Sequence, residues 1–318
     1  MVTETRRVNR AESRGKPKRP RTGVEPSPAL PALPLRWSVE RRLAFIEDLL
    51  FWRGDVNRTD LVRRFGVSMS QASADIGRYL ALSPPGVAYD KSAKRYVADE
   101  TFRPVLTPPD SAQFLGELRL VDLGIMPAAD TLLGEVPPFA AAPTPERPID
   151  PFVLRGVLAA IRARAAVEVR YQSMSRPMAT RRVIEPHALA HDGFRWHARA
   201  YDHQSGEFRD FVIGRMAEIA IVEAARVTPA EDRDWNEWVE LRIAPHPALT
   251  PAQAKAIRLD YGIAGNSAAI TVRRALLFYA LRRLGLDTKP DARPPHEQQI
   301  VLVNADEVRA LAPRLWET

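Results

Sequence analysis

Helical spacing organises the first third of the chain. In WSVERRLAFIEDLLFWRG the apolar residues Leu43, Ile46, Leu49 and Leu50 recur at the three- and four-residue intervals of one helix face, and Gly54 ends the run. DVNRTDLVRRFGVSMSQASADIGRYLAL then divides in two. Thr59 is placed to cap a short helix with Leu61, Val62 and Phe65 inward, and Gly66 permits a turn. Ser68 caps a second helix from about Met69 to Leu82 whose Ala72, Ile76 and Leu80 face inward. Past Pro84-Pro85-Gly86, the alternating segments VAYD and KRYVA flank a turn at Lys91-Ser92-Ala93, a hairpin of wing size. Helix, helix-turn-helix and hairpin in this order predict a winged helix-turn-helix domain over 36–105. A connector over 106–150 holds one helix (about Asp110–Leu123) and the Pro/Ala-rich stretch PPFAAAPTPERPIDP.

A helix from about Pro151 to Arg164 opens the second half, and the period then changes to two. VEVRYQS, RRVIEPHALA, FRWHARAYD, FRDFVIGRM and EIAIVEA read as five short strands, with Gly193 and Gly206 between strands, and predict a small antiparallel barrel over 151–230. Over 231–318 strand-like and helical segments alternate. VELRIAPH, AAITV and QQIVLV are the strands; TPAQAKAIRLDYG, RRALLFYALRRLG and ADEVRALAPRLW are the helices, a βαβαβα order for a compact α/β domain. The fold class expected is therefore an α+β multidomain chain.

Charge adds a tail. Residues 1–35 hold eight Lys/Arg against three Glu, an excess of +5 within a net +7, and offer almost nothing to bury. Such a segment is expected to be a disordered basic arm, useful for phosphate contacts or merely solubilising. The chain has no cysteine, which excludes disulfides, thiolate metal sites and cysteine nucleophiles. No apolar run approaches the roughly 18 residues of a membrane span, so a soluble cytoplasmic protein with no membrane partner is expected.

In the second helix of the motif, Ser68, Ser70, Gln71, Ser73 and Arg78 occupy outward positions. Ser and Gln at the N-terminal half of such a helix address base edges in the major groove. Arg78, Lys91, Lys94 and Arg95 would address phosphates or the minor groove. The bland alternative is a set of solvated faces used for protein contacts.

GFRWHARAYD carries the second candidate site. Alternation sends Phe194, Trp196, Ala198 and Ala200 to a core side, and Arg195, His197, Arg199 and Tyr201 to the other. The polar side is either solvated surface or the floor of an anion site. Tyr171 and Ser173 on one strand face, His187 in EPHAL, and Arg209 and Arg215 in FRDFVIGRM would extend such a site with phosphate donors and stacking surfaces. Catalysis is poorly served: there is no nucleophile-elbow pattern and no HExxH or comparable metal spacing. No enzyme, metal or cofactor is expected. A single-strand nucleic-acid binder or accessory nuclease acting through the barrel is the alternative function.

Taken together, RYQSMSRP, EPHALAHDGFRWHARAYD and FRDFVIGRM, behind a winged helix-turn-helix, resemble the WYL-domain transcriptional regulators, and most nearly the BrxR and CapW type that controls bacterial anti-phage defence. The likeness covers nearly all of residues 36–318. It implies an Sm- or SH3-like barrel sensing a nucleic-acid or nucleotide effector, a C-terminal dimerisation domain, and a homodimeric repressor of an inverted-repeat operator. By motif it points to Tyr171, Ser173, His187, Arg195 and Arg215 as ligand contacts, with Arg209 beside them. This chain reads Trp196-His197-Ala198 where the family reads Trp-Tyr-Leu, which puts His197 in the tyrosine's place.

Overall fold

The computed structural model describes residues 35–131, 136–289 and 292–311. Contacts divide the chain into two units, Met1–Pro143 and Thr144–Thr318. The expected basic tail, save Leu35, lies outside the described residues. Among the described residues no helix is long and apolar enough to cross a membrane.

In the first unit the apolar stripe of α1 (Leu35–Trp52) buries Phe45, Ile46, Leu49 and Leu50. A two-residue strand, β1 (Asp55–Val56), precedes α2 (Arg58–Phe65). The cap of α2 is Asn57 rather than Thr59. The Asn57 side-chain oxygen accepts from the Thr59 and Asp60 amides while the Asp60 carboxylate accepts from the Asn57 amide at 2.8 Å, so N3 decides the start. Gly66, at φ 65°, takes the left-handed turn that ends α2. Ser68 then caps α3 (Met69–Leu80) by accepting from the Gln71 amide. β2 (Val87–Asp90) and β3 (Arg95–Ala98) form the hairpin, and β3 also pairs with β1 in a three-stranded antiparallel sheet. The helix α4 (Ser111–Asp122), capped by Asp110, follows.

In the second unit α5 (Pro151–Ala163) lays Val153, Val157 and Ala160 on a five-stranded antiparallel sheet. Its strands are β4 (Ala165–Tyr171), β5 (Thr180–His191), β6 (Trp196–Asp202), β7 (Glu207–Val212) and β8 (Met216–Ala224), paired in the order β7-β6-β5-β4-β8. The face toward α5 carries Val167, Val169, Tyr171, Ile184, Ala198, Ala200 and Phe211. A short helix, α6 (Arg233–Asn236), leads to the C-terminal elements: β9 (Trp238–Pro245), α7 (Pro251–Asp260), β10 (Ala268–Arg273), α8 (Leu277–Arg283), β11 (Ile300–Leu302) and α9 (Ala305–Leu311). The order is the βαβαβα read from the sequence. The pairing is antiparallel throughout, with β9 between β10 and β11, over a core of Leu241, Ile243, Leu277, Leu281 and Val308.

Candidate nucleic-acid and effector interfaces

The α3 surface is organised from beneath by a carboxylate. Asp75 is fully buried; its Oδ2 accepts from Arg42 Nε at 2.6 Å, and its Oδ1 from Gln71 Nε2 at 2.9 Å and Arg78 at 3.2 Å. Two expected DNA contacts, Gln71 and Arg78, are thus held by one buried carboxylate that the expected inward set of Ala72, Ile76 and Leu80 did not include. Ser68, Ser70 and Ser73 are exposed, with Ser73 Oγ donating to the Met69 carbonyl and the Ser68 and Ser70 hydroxyls 2.9 Å apart. In the wing Lys91 and Lys94 are exposed at the turn, where the Asp90 carboxylate accepts from the Ser92 and Ala93 amides. Arg95 is less free: it donates to Asp55 at 2.7 Å and braces β3 against β1. A second buried acid, Glu47, accepts from the Tyr79 hydroxyl and from the amides of Val105, Leu106 and Thr107, tying the segment after the wing to the helix-turn-helix core.

In β6 the alternation is as expected but its environment is inverted. Ala198 and Ala200 enter the core, yet Trp196 is 48% and Phe194 59% exposed, whereas His197 is 2% and Arg199 5% exposed. Trp196 is therefore not a core residue, and the polar side is not a solvated floor. Carboxylates cover it, Asp210 from the sheet itself and Asp232 from the segment after β8, together with Tyr279 of α8. Asp232 accepts from Arg199 Nε at 2.7 Å and Nη2 at 2.9 Å, and from His187 Nε2 at 2.9 Å. Asp210, opposite Arg199 across the β6–β7 ladder, accepts from Arg199 at 3.2 Å and from the Tyr279 hydroxyl at 3.1 Å. His187 reaches Asp232 because it is the extra residue of a bulge between Pro186 and Ala188, and a bulge re-aims its side chain. His203 donates to Glu185 at 2.6 Å. Of the four histidines between His187 and His203, His187, His197 and His203 go to three different carboxylates, Asp232, Asp192 and Glu185, while His191 packs against the Trp196 ring at 4.7 Å.

Burial alone would raise the Asp232 carboxyl. Hydrogen bonds from Arg199 and His187, the Arg199 charge and the Trp235 amide outweigh it and hold the group well below the usual carboxylate range. Asp192, in the β5–β6 turn, behaves alike: burial opposes, but His197, the Phe194 and Arg195 amides and the Arg195 guanidinium keep it ionised to low pH.

The structure brings Arg195 and His197 together on Asp192 and places the other ligand candidates elsewhere. His187 belongs to the Asp232 cluster. Tyr171 lies in the core beside Phe211, and its hydroxyl accepts from the Val212 amide at 3.3 Å. Its strand ends at Tyr171, so Ser173 is not on the same strand face; Ser173 lies in the following loop. Arg209 is exposed and paired with Glu207 at 2.9 Å. Arg215 closes a 3-10 turn and is half-buried, its carbonyl accepting from the Gln172 amide.

Known proteins give this architecture a family. The BrxR transcriptional regulator winged helix-turn-helix domain matches residues 38–120, the WYL domain 153–221, and the BrxR transcriptional regulator C-terminal dimerization domain 238–308. The DNA-binding transcriptional repressor CapW of Stenotrophomonas maltophilia is 39% identical over 276 residues, spanning 86% of this chain and 92% of its own. Those of Pseudomonas aeruginosa and Escherichia coli (strain KTE188) are 39% and 38% identical, each over 87% of this chain and 92% of their own. With the winged helix, the WYL sheet and the dimerization domain in one order, the chain belongs to the BrxR and CapW family of WYL-domain transcriptional regulators.

Proposed function

We propose that this chain is a cytoplasmic homodimeric repressor of a phage-defence operon. It binds an inverted-repeat operator through α3 and the β2–β3 wing, and a nucleic-acid or nucleotide effector held by the second unit relieves repression. The observation that carries the DNA reading is α3 itself. Ser68, Ser70 and Ser73 face outward at its N-terminal half, while Asp75 beneath fixes Gln71 and Arg78 and the hairpin tip presents Lys91 and Lys94. That is the arrangement a major-groove helix with a phosphate-contacting wing requires. For the effector, Ser173, Arg195, Arg209 and Arg215 are the accessible candidates. Tyr171, His187 and His197 act from below, by holding the strands that carry them. Effector binding relieves repression only if its affinity differs between the DNA-bound and released dimers.

A mobility-shift titration with the DNA upstream of the chain's own operon tests this. Sequence-specific retention is expected, weakened by Gln71→Ala with Ser73→Ala far more than the retention of unrelated DNA. Equal affinity for unrelated duplex, or Mg²⁺-dependent degradation that survives both substitutions, would favour the single-strand binder or nuclease.

A further inference from the structure

The outward face of α3 is not uniformly polar. Six of its residues are exposed: Met69, Ser70, Ser73, Ala74, Gly77 and Arg78. Met69, in the first turn, is the one large apolar side chain among them and is 52% exposed. Gln71, on the other flank of Ser70, is half-buried. We propose that α3 recognises A·T pairs in the major groove, Gln71 taking the edge of an adenine and Met69 the methyl group of a neighbouring thymine. The proposal rests on the reading that α3 enters the major groove, and it names the bases read there.

The first argument is the orientation of Gln71. A glutamine amide can be turned either way, and its hydrogen-bond partners decide which. Asp75, fully buried and flanked by Arg42 at 2.6 Å and Arg78 at 3.2 Å, offers a carboxylate with acceptors only, so Gln71 presents Nε2 to it, at 2.9 Å. The Gln71 carbonyl oxygen and second N–H are left for a partner outside the protein. One acceptor beside one donor matches adenine, which shows N6–H and N7 in the major groove, whereas guanine shows two acceptors there. The serine hydroxyls of this face donate and accept alike, and Ser73 already donates to the Met69 carbonyl at 2.9 Å. Gln71 is therefore the residue with a directional preference.

The second argument is Met69. It lies outside the apolar cluster that α3 joins through Ala72, Ile76 and Tyr79, so packing does not account for it. Its thioether is a weak hydrogen-bond acceptor on a flexible apolar stem. The apolar group that a base pair offers in the major groove is the C5-methyl of thymine.

The third argument is reach. Between these two flanks the face is built of small residues, Ser70, Ser73, Ala74 and Gly77. Gly77 stands inside the helix, where glycine is less stable than alanine, and a Cβ there would meet nothing within 4 Å. The fold gives no reason for that glycine. A helix that settles deep in the groove does, and depth is what brings the first-turn side chains to the base edges.

The test uses the full-length protein and the DNA upstream of its own operon, prepared in natural form, with uracil for every thymine, and with 7-deazaadenine for every adenine. The second form lacks the methyl group and the third the N7 acceptor. Anisotropy competition against unrelated duplex reads the specific affinity. Wild type should bind the uracil form about 15-fold more weakly, the burial of one methyl in each of two half-sites. It should bind the 7-deazaadenine form about 25-fold more weakly, one hydrogen bond in each. Met69→Ala should lose affinity for natural DNA and no longer distinguish thymine from uracil, while Met69→Leu keeps most of the distinction. Gln71→Ala should no longer distinguish adenine from 7-deazaadenine. Gly77→Ala should raise the melting temperature and yet weaken operator binding. Met69 is exposed and Gln71 half-buried, so melting curves should confirm that their variants fold. A Met69→Ala protein as sensitive to uracil as wild type, or a Gln71→Ala protein as sensitive to 7-deazaadenine, overturns the proposal. Specific binding by wild type that ignores both base changes also overturns it and leaves the major-groove reading of α3 standing. No preference for the upstream DNA over unrelated duplex removes both.

Discussion

Replacing Asp232 by alanine isolates the joint between the WYL sheet and the C-terminal region. Asp232 is 1% exposed and Arg199 5%, so neither group regains water unless the structure opens. The substitution removes both short hydrogen bonds from Arg199 and the one from His187, and it uncaps α6, whose Trp235 amide Asp232 accepts at 3.1 Å. Asp210 remains on one side of Arg199 but does not replace the bidentate contact. Breaking a buried pair from one side costs about 3–5 kcal/mol. In a unit of this size each kcal/mol lowers Tm by roughly 2–4 °C, so the transition of residues 144–318 should fall by roughly 6–20 °C in scanning calorimetry of the full chain. The pH dependence carries a sign. The folded-state pKa of Asp232 is depressed, so its contribution is present above the unfolded value and is lost as pH falls below about 4. The gap between wild type and variant should be full at pH 7 and narrow at pH 3. The double variant Arg199→Met with Asp232→Leu should recover most of the loss, since neither charge is then buried alone. A fall under about 2 °C, alike at both pH values, would mean that Arg199 reaches solvent and the basic face is open after all.

Other outcomes concern the first unit. Glu47→Gln should lower its stability by about 2–3 kcal/mol in urea titration, because hydrogen bonds to a charged acceptor are among the costlier to lose, and should speed amide exchange at Val105, Leu106 and Thr107. Burial, with Glu47 and Glu117 nearby, raises the Asp48 carboxyl to about 6. Its stabilisation is therefore complete below about pH 4 and lost as pH rises through about 6. Asp48→Asn should leave stability at pH 4 unchanged and raise it at pH 8 by up to about 2 kcal/mol after allowance for solvent screening, read by the same titration at both pH values. Asp75→Ala, which strands Arg42, should cost about 3–5 kcal/mol in that assay; at temperatures where the variant stays folded it should also weaken operator binding in anisotropy titrations, because Gln71 and Arg78 lose their anchor.

Periodicity carried most of the elements. The stripe of α1, the Ser68 cap and the alternation of β4 to β8 are local patterns, and local patterns are what a chain displays in its own order. β1 escaped because two residues have no period. The start of α2 turned on Asp60 answering Asn57, where Thr59 was an equally plausible cap by residue type. The larger difference lies in β6. Alternation separated His197 and Arg199 from Ala198 and Ala200, but a two-residue period does not say what covers each face. The cover comes from Asp232 and Tyr279, 33 and 82 positions beyond Arg199 and His197, and no local signal announces it. Phe194 precedes the strand and Trp196 begins it, so neither obeys the strand's core pattern.

The central claim is that this chain reads DNA with α3. Hydroxyl-radical footprinting of the upstream DNA by the full-length protein tests it most directly. Two protected half-sites are expected, related by a two-fold axis and separated by about one helical turn or a multiple of it, and both should be lost together in the Gln71→Ala, Ser73→Ala variant. Uniform protection without symmetry, or a footprint unchanged in that variant, would contradict the account.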